Sequence, residues 1–146
     1  MKTVLIAGVF LLAGCTATGE AAKVAGQALG GSLEGGPWLI TSVNGAAVDP
    51  SVRADITFEP GDQNTSAVYG TGGCNRFRGG WKQNGTVIDL GPLAGTRMMC
   101  EDKKMKVEGP VMSGLDAATA VVFAADGTAT LTAPDGGVVS IRREKK

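Results

Sequence analysis

Residues 73–81 of the chain read GCNRFRGGW, and this stretch carries the clearest strand signal in the sequence. Side chains along a strand alternate between the two faces of a sheet. Phe77 and Trp81 therefore fall on one face of the stretch, whereas Arg76 and Arg78 fall on the other. This alternation predicts a half-buried strand with its aromatic side chains in a core and its arginines in solvent.

Similar short runs extend on both sides of this strand, with turn signals between them. Asn-Gly and Asp-Gly pairs, which favour tight hairpin turns, stand at positions 44–45, 84–85 and 126–127. The alternating and β-branched runs that these turns separate predict further strands over residues 38–43, 55–59, 65–70, 86–90, 121–123, 128–132 and 138–141.

One helix is predicted between these strands, from Lys103 to about Ala118. Its apolar residues recur on one side, as in an amphipathic helix: Met105, Val111, Met112 and Leu115. Pro110 predicts a kink or a later start near Glu108, because proline cannot donate the helical hydrogen bond. The expected fold class is mainly β (α+β): a small antiparallel, barrel-like sheet of about seven or eight strands with one packed helix.

The composition limits the possible chemistry. The chain has 146 residues, which suits one domain, and it contains no histidine. This excludes a serine or cysteine nucleophile activated by histidine, and zinc sites with histidine ligands. Fourteen basic residues balance fourteen acidic ones, which argues against the clustered basic surface of a nucleic-acid-binding protein. We therefore expect no nucleic-acid partner, no metal and no cofactor.

The N-terminus has the pattern of an export signal. Lys2 precedes ten apolar residues, Val4–Ala13, which are too few for the roughly 20 that span a bilayer but typical of a secretory signal peptide. Residues 12–15, LAGC, resemble the lipobox of bacterial lipoproteins, which implies cleavage after residue 14 and attachment of lipid, palmitate included, to Cys15. The residue after Cys15 is Thr16 and not an aspartate, which in bacterial lipoproteins implies sorting to the outer membrane, facing the periplasm. Ordinary cleavage without lipid is the alternative.

A flexible tether is predicted between this signal and the domain. Residues 16–36 contain six glycines, five alanines and no aromatic residue. Such a composition buries too little apolar surface to offset the entropy lost on ordering. The sequence therefore predicts a signal peptide over residues 1–14, a lipidated tether over residues 15–36 and a folded domain over residues 37–146.

Spaced residues across the predicted domain resemble the META domain family, also called HslJ-like. An N-terminal strand with a Trp-x-aliphatic pattern is matched by Trp38 and Ile40. A Gly-Cys-Asn-x-Phe-x-Gly motif is matched by Gly73, Cys74, Asn75, Phe77 and Gly79. A Thr-Arg-Met-x-Cys motif is matched by Thr96, Arg97, Met98 and Cys100, and a helix with Glu108, Val111 and Leu115 follows.

The resemblance has consequences for fold and function. It implies a mostly β domain exported to the cell envelope. Members of the family are linked to stress response, antibiotic tolerance, motility or secretion, and the resemblance implies no established catalytic activity. We therefore expect no catalytic residue in this chain.

The three cysteines divide between two roles. If Cys15 carries lipid, Cys74 and Cys100 remain as a pair in an oxidising compartment. A disulfide between them would stabilise the fold by about 3–4 kcal/mol. The alternative is that they are two separate buried thiols.

Two polar motif residues have expected partners. Asn75 is expected to hydrogen-bond nearby backbone rather than a ligand. Arg97 is expected to pair with an acidic residue such as Asp89 or Glu101. The alternative for Arg97 is a recognition surface that it shares with the arginines of residues 76–78.

The expected function is that of a non-catalytic, lipid-anchored envelope protein that binds a protein partner, because an anchor and a spacer are present and a catalytic set is not. A small-ligand-binding barrel lipoprotein is the first alternative, and an apolar interior pocket of more than about 300 Å³ would favour it. A hydrolase that uses two carboxylates is the second alternative, although the sequence pairs none of its acidic residues for such a reaction.

Overall fold

The computed structural model describes residues 30–61 and 66–145. The predicted signal peptide, Cys15 and most of the predicted tether lie outside these residues. The described part contains one helix, α1 (Asp102–Ala117), and ten strands. The strands are β1 (Gly35–Val43), β2 (Ala46–Ala47), β3 (Asp55–Glu59), β4 (Ala67–Thr71), β5 (Arg76–Asn84), β6 (Val87–Leu90), β7 (Ala94–Gly95), β8 (Ala120–Phe123), β9 (Thr128–Thr132) and β10 (Val138–Arg143).

Eight of the strands close into an antiparallel barrel. Their order is β1-β3-β4-β5-β6-β8-β9-β10, and β10 pairs with β1 to complete the ring. The two-residue strands β2 and β7 pair with β1 and β5. This architecture confirms the expected fold class. The hairpin after β1 forms where predicted, since Asn44 and Gly45 both have the positive φ that a two-residue type I′ turn requires.

The barrel interior is filled by alternate side chains of its strands. Fully buried side chains come from strands all around the ring, among them Ile56, Phe58, Val68, Leu131, Val139 and Ile141. On β5, Phe77 and Trp81 point into this core while Arg76 and Arg78 are exposed, which confirms the predicted alternation. The Trp81 ring meets Phe58 edge to face, with 5.1 Å between ring centres.

Helix α1 covers one end of the barrel. Its Val111 and Leu115 are fully buried, and the helix contacts β1 and β10. At Gly114 the helix backbone lies so close to β10 that a side-chain carbon there would be 2.6 Å from Val139. Within the described ranges, no helix is long and apolar enough to cross a membrane.

The helix begins at Asp102 and continues through Pro110, so the alternative of a later start near Glu108 is wrong. Proline at this position removes one hydrogen bond, the one to the carbonyl of Lys106. Lys106 is exposed, so water can bind its carbonyl. The first half of the helix is also attached to the barrel through the Glu108 side chain, and these contacts offset the missing bond.

The chain joins the fold before residue 37. Residues 31–34, here called the N-terminal strap, lie beside the last residues of β5. Leu33 is fully buried; its N–H donates to Oε1 of Gln83 at 2.9 Å, and its carbonyl accepts the Nε1–H of Trp38 at 2.9 Å. The guanidinium of Arg143 lies 4.3 Å from the centre of the Trp38 ring and donates to two strap carbonyls. The end of the predicted tether is therefore packed against the domain, because one buried leucine outweighs the glycine-rich residues around it.

Candidate functional site

Asn75 lies where the chain turns from β4 into β5, at the barrel end that α1 covers. It is 7% exposed, and among the described residues it is the only buried polar side chain. Its Nδ2 donates to the carbonyl of Met98 at 3.1 Å and to Oε1 of Glu108 at 2.7 Å. Its Oδ1 accepts the N–H of Met98 at 2.6 Å and the hydroxyl of Thr96 at 2.9 Å. An asparagine amide has two donors and two acceptor sites, so its hydrogen-bonding capacity is fully used inside the fold.

Glu108 connects helix α1 to the same point. Its Oε2 accepts the backbone N–H of Cys74 at 3.0 Å and the backbone N–H of Asn75. Burial by itself would raise the pKa of the Glu108 carboxyl, but the hydrogen bonds from the side chain and backbone of Asn75 and from Cys74 outweigh it and lower that pKa. The carboxylate is therefore ionised at neutral pH as a structural acceptor.

A disulfide completes this arrangement. Cys74 and Cys100 are joined by a disulfide, with 5.9 Å between their Cα atoms. This agrees with the predicted bridge and not with the alternative of two separate thiols. We call Cys74, Asn75, Thr96, Met98, Cys100 and Glu108 the Asn75 node. The node joins three segments that are far apart in the chain: the turn before β5, the segment after β7 and the first half of α1.

The glycines of the first motif make room for the node. Gly73 has a φ of +130°, and a side-chain carbon on it would lie 3.2 Å from the carbonyl oxygen of Lys104 in α1. On β5, a side-chain carbon at Gly79 would lie 2.8 Å from Leu93. A side chain at Gly79 would therefore crowd the Leu93 side chain and the carbonyl oxygen of Pro92, 3.0 Å away, in the segment that leads to Met98. Phe77, which lies between the two glycines, anchors β5 in the core.

The node displays an exposed surface that combines methionines and arginines. Met98 and Met99 are 57% and 88% exposed. Arg76, Arg78 and Arg97 are exposed as well. These five residues, here called the Met-Arg surface, lie close together because Gly95 pairs with Phe77 and the Thr96 N–H donates to the carbonyl of Arg76 at 3.0 Å. The expected ion pair of Arg97 with Asp89 or Glu101 does not form within residues 30–61 and 66–145, where Glu101 instead faces Lys104.

The expected local role of Asn75 is also corrected. Its side chain does bond to backbone, but to that of Met98, which is 23 positions away, and to the side chain of Glu108, which is 33 positions away. Sequence reasoning placed Glu108 only in the helix pattern. An acidic residue on a helix that follows two cysteine motifs was the one available signal, and nothing in the spacing says which backbone amides it meets.

Two grooves stand out on the surface of the described residues. One, of about 610 Å³, lies beside the N-terminal strap and the end of β5, where Ser32, Lys82 and Asn84 line it. The other, of about 550 Å³, lies between the turns at Asn44 and Asp135. Both are open to solvent and lined by polar and apolar atoms alike, unlike the enclosed apolar pocket that a small-ligand barrel calls for. In the part of the chain that the structure describes, no three acidic or cysteine side chains are grouped to hold a metal.

Comparison with known proteins agrees with this geometry. The family model of the META domain matches residues 31–146, which begins at the N-terminal strap. A protein from Burkholderia xenovorans solved by NMR is similar, with a TM-score of 0.64 and 22% identity, over 78% of this chain and 85% of its own. A second protein solved by NMR has a TM-score of 0.56 and 24% identity, over 74% of this chain and 89% of its own.

No curated protein sequence matches the chain. At the identities given above, the two NMR structures show a common fold and nothing about activity. The family match is more specific, because it covers most of the sequence and both cysteine motifs. The chain belongs to the META domain family.

Proposed function

We propose that this protein is a lipid-anchored, non-catalytic binding module of the cell envelope, which supports tolerance of envelope stress by holding a protein partner. The observation that carries the proposal is the Asn75 node. Its polar motif side chains are engaged in bracing a segment and are not turned towards a substrate. The braced segment carries Met98 and Met99 in solvent, and large exposed apolar side chains on a rigid frame are typical of binding surfaces.

Two features support a location in the envelope. The LAGC sequence that ends at Cys15 resembles a lipobox. The disulfide between Cys74 and Cys100 suits an oxidising compartment, because disulfides are rare where thiols are kept reduced. We therefore expect palmitoylated Cys15 to anchor the protein in the outer membrane. The domain is then expected to lie on the periplasmic side of that membrane.

The anchor is tested by metabolic labelling with an alkyne analogue of palmitate. We expect label on the wild-type protein and none on Cys15→Ala, and we expect the variant to move from the membrane fraction to the soluble periplasmic fraction. Equal labelling of both proteins, or a wild-type protein found only in the soluble fraction, would contradict the anchor.

Binding is tested by cross-linking the tagged protein in living cells, with identification of adducts by mass spectrometry. We expect one dominant envelope protein, and we expect a deletion strain to be more sensitive to envelope-directed antibiotics. Absence of any adduct above the background of an untagged strain would contradict the binding role.

A further inference from the structure

The Met-Arg surface brings three unpaired arginines together on neighbouring segments. Three other described basic side chains are paired with acidic ones: Arg53 with Asp55 and Glu144, Lys103 with Asp49, and Lys104 with Glu101. Five more make no ion pair within the described residues and are dispersed over the chain: Lys82, Lys106, Arg142, Arg143 and Lys145. Within the described ranges, no carboxylate is in ion-pair distance of Arg76, Arg78 or Arg97. On a chain with balanced net charge, these three arginines form a positively charged site without ion-pair partners among the described residues.

Exposed apolar side chains lie on the segments next to these arginines. Met98 and Met99 project from the segment next to the arginines, and Tyr69 of β4, 39% exposed, faces Arg78 across the β4–β5 ladder. Methionine, arginine and tyrosine are the residue types enriched where proteins bind each other, whereas lysine is depleted there. Membrane surfaces that attract a domain by charge usually require about four to eight basic residues, more than the three arginines here.

The surface is also preorganised. The Met98 backbone is held by both its N–H and its carbonyl to the Asn75 side chain, and the disulfide at Cys100 fixes the segment two residues later. A rigid binding segment loses less conformational entropy when a partner binds. The backbones of Arg76 and Arg78 are fixed as well, because both residues lie on β5 and pair with β4 on one side. On the other side, Arg78 pairs with Ala94 of β7, and the Arg76 carbonyl accepts the N–H of Thr96.

We propose that the Met-Arg surface docks an acidic protein segment, in which carboxylates meet Arg76, Arg78 and Arg97 while an apolar pocket of the partner receives Met99. The inference rests on the proposed binding function and names the face and the partner chemistry. Arginine suits this role because its planar guanidinium can bind a carboxylate through two hydrogen bonds. The charges set the orientation and speed of association, and the methionine side chains adapt to the shape of the partner.

The face is tested by placing the photo-cross-linker p-benzoylphenylalanine at position 99 in living cells, with position 122 as the matched control. Val122 is an exposed apolar residue on β8, 49% exposed, and β6 separates β8 from β5. We expect protein adducts at position 99 in at least about tenfold excess over position 122. We also expect mass spectrometry to locate the adduct in a segment rich in aspartate and glutamate.

The charge is tested with R76E/R78E and the control R142E/K145E. Both double variants change the net charge equally, but Arg142 and Lys145 are at the end of β10, on the opposite side of the ring from β5. We expect R76E/R78E to lower the adduct yield at position 99 by about tenfold and the control to leave it unchanged. Circular dichroism at equal temperature verifies that both variants are folded.

Three results would overturn the inference: equal adduct yields at positions 99 and 122, equal loss in both double variants, or adducts at position 99 with phospholipid in place of protein. The last result would assign the surface to the membrane. If general cross-linking captures an envelope protein while position 99 does not, the binding module stands and this docking face is wrong. If neither captures a protein, both proposals fail.

Discussion

The two ends of strand β5 are held by different types of interaction. At its start, the Asn75 node uses an amide, a carboxylate and a disulfide to join three distant segments. At its end, the N-terminal strap uses a fully buried leucine, Leu33, whose backbone is hydrogen-bonded to Gln83 and Trp38. Arg143 donates to the strap carbonyls on either side of this leucine. The node thus rests on buried polar side chains and a disulfide, whereas the strap rests on one buried apolar side chain and on hydrogen bonds to its backbone.

Under the proposed function, the node end is the one expected to bear the binding surface. Burial of an apolar side chain such as Leu33 adds stability that depends little on pH or redox state. A polar node is costly unless every group is paired, and here the donors and acceptors of the Asn75 amide are all paired, which fixes the position of the braced segment. The segment in question bears Met98 and Met99. Each prediction below removes one part of the node or the strap and compares the two ends.

Removing the disulfide is expected to have the largest effect. The double variant C74S/C100S should lower the free energy of unfolding by about 3–4 kcal/mol, because the bridge restricts the unfolded chain. Urea unfolding of the variant and of the oxidised wild type measures this. As a control, reductant should shift the unfolding midpoint of the wild type and leave the variant unchanged. Alkylation of both cysteines in the native protein without reductant would contradict the bridge.

Removing the buried leucine of the strap is expected to cost nearly as much. Leu33→Ala should lower the free energy of unfolding by about 3 kcal/mol, since it leaves a cavity at a fully buried site. The matched control is Val87→Ala, at a site 61% exposed, where the change should stay within about 0.5 kcal/mol. Equally small changes in both variants would contradict the packing of residues 31–34 against the domain.

Asn75→Ala separates the amide from the disulfide. We expect a loss of about 2–3 kcal/mol, because the variant leaves partners on Met98 and Glu108 without their hydrogen bonds. Asn84→Ala, at an exposed position next to the β5–β6 turn, is the control and should change stability by less than about 0.5 kcal/mol. A stability loss at position 75 no larger than at position 84 would mean that the disulfide alone holds the node.

The smallest expected effect is the pH dependence that Glu108 contributes. Its pKa is lower in the folded protein than the ordinary value of 4.5, so its stabilising contribution is complete above that ordinary value and is lost as the pH falls through the folded-state pKa. Glu108→Gln should be less stable than wild type by about 1 kcal/mol at pH 7, and the difference should shrink in acid. Urea unfolding at pH 7 and below pH 4 tests this, and a constant difference would contradict it.

The strands could be predicted because their signals are local. β3 and β9 have the predicted bounds, and the Asn44-Gly45 turn is encoded by the two residues that form it. The faces of β5 follow from alternation alone. Where two-residue strands form, at β2 and β7, the segments are too short to carry a pattern.

The node could be predicted only in part. Both cysteines are visible as a pair, but the partners of Asn75 depend on how the segment after β7 and helix α1 meet in space. Among the described residues Arg97 makes no ion pair. This could not be predicted for the same reason, because its neighbours are set by tertiary packing and not by nearby charges in the sequence. At the other end, Leu33 stands alone among glycines, so the sequence pattern hides its burial.

The most direct test of the account is amide hydrogen exchange at Met98 and Met99, followed by NMR. Both side chains are exposed, but the Met98 N–H donates to Oδ1 of Asn75 at 2.6 Å, whereas the Met99 N–H makes no hydrogen bond to another described residue. We predict exchange at Met98 at least about tenfold slower than at Met99, and loss of that difference in Asn75→Ala. Equal rates at the two amides of the wild-type protein would contradict the claim that the Asn75 node holds the segment of Met98 and Met99 in place.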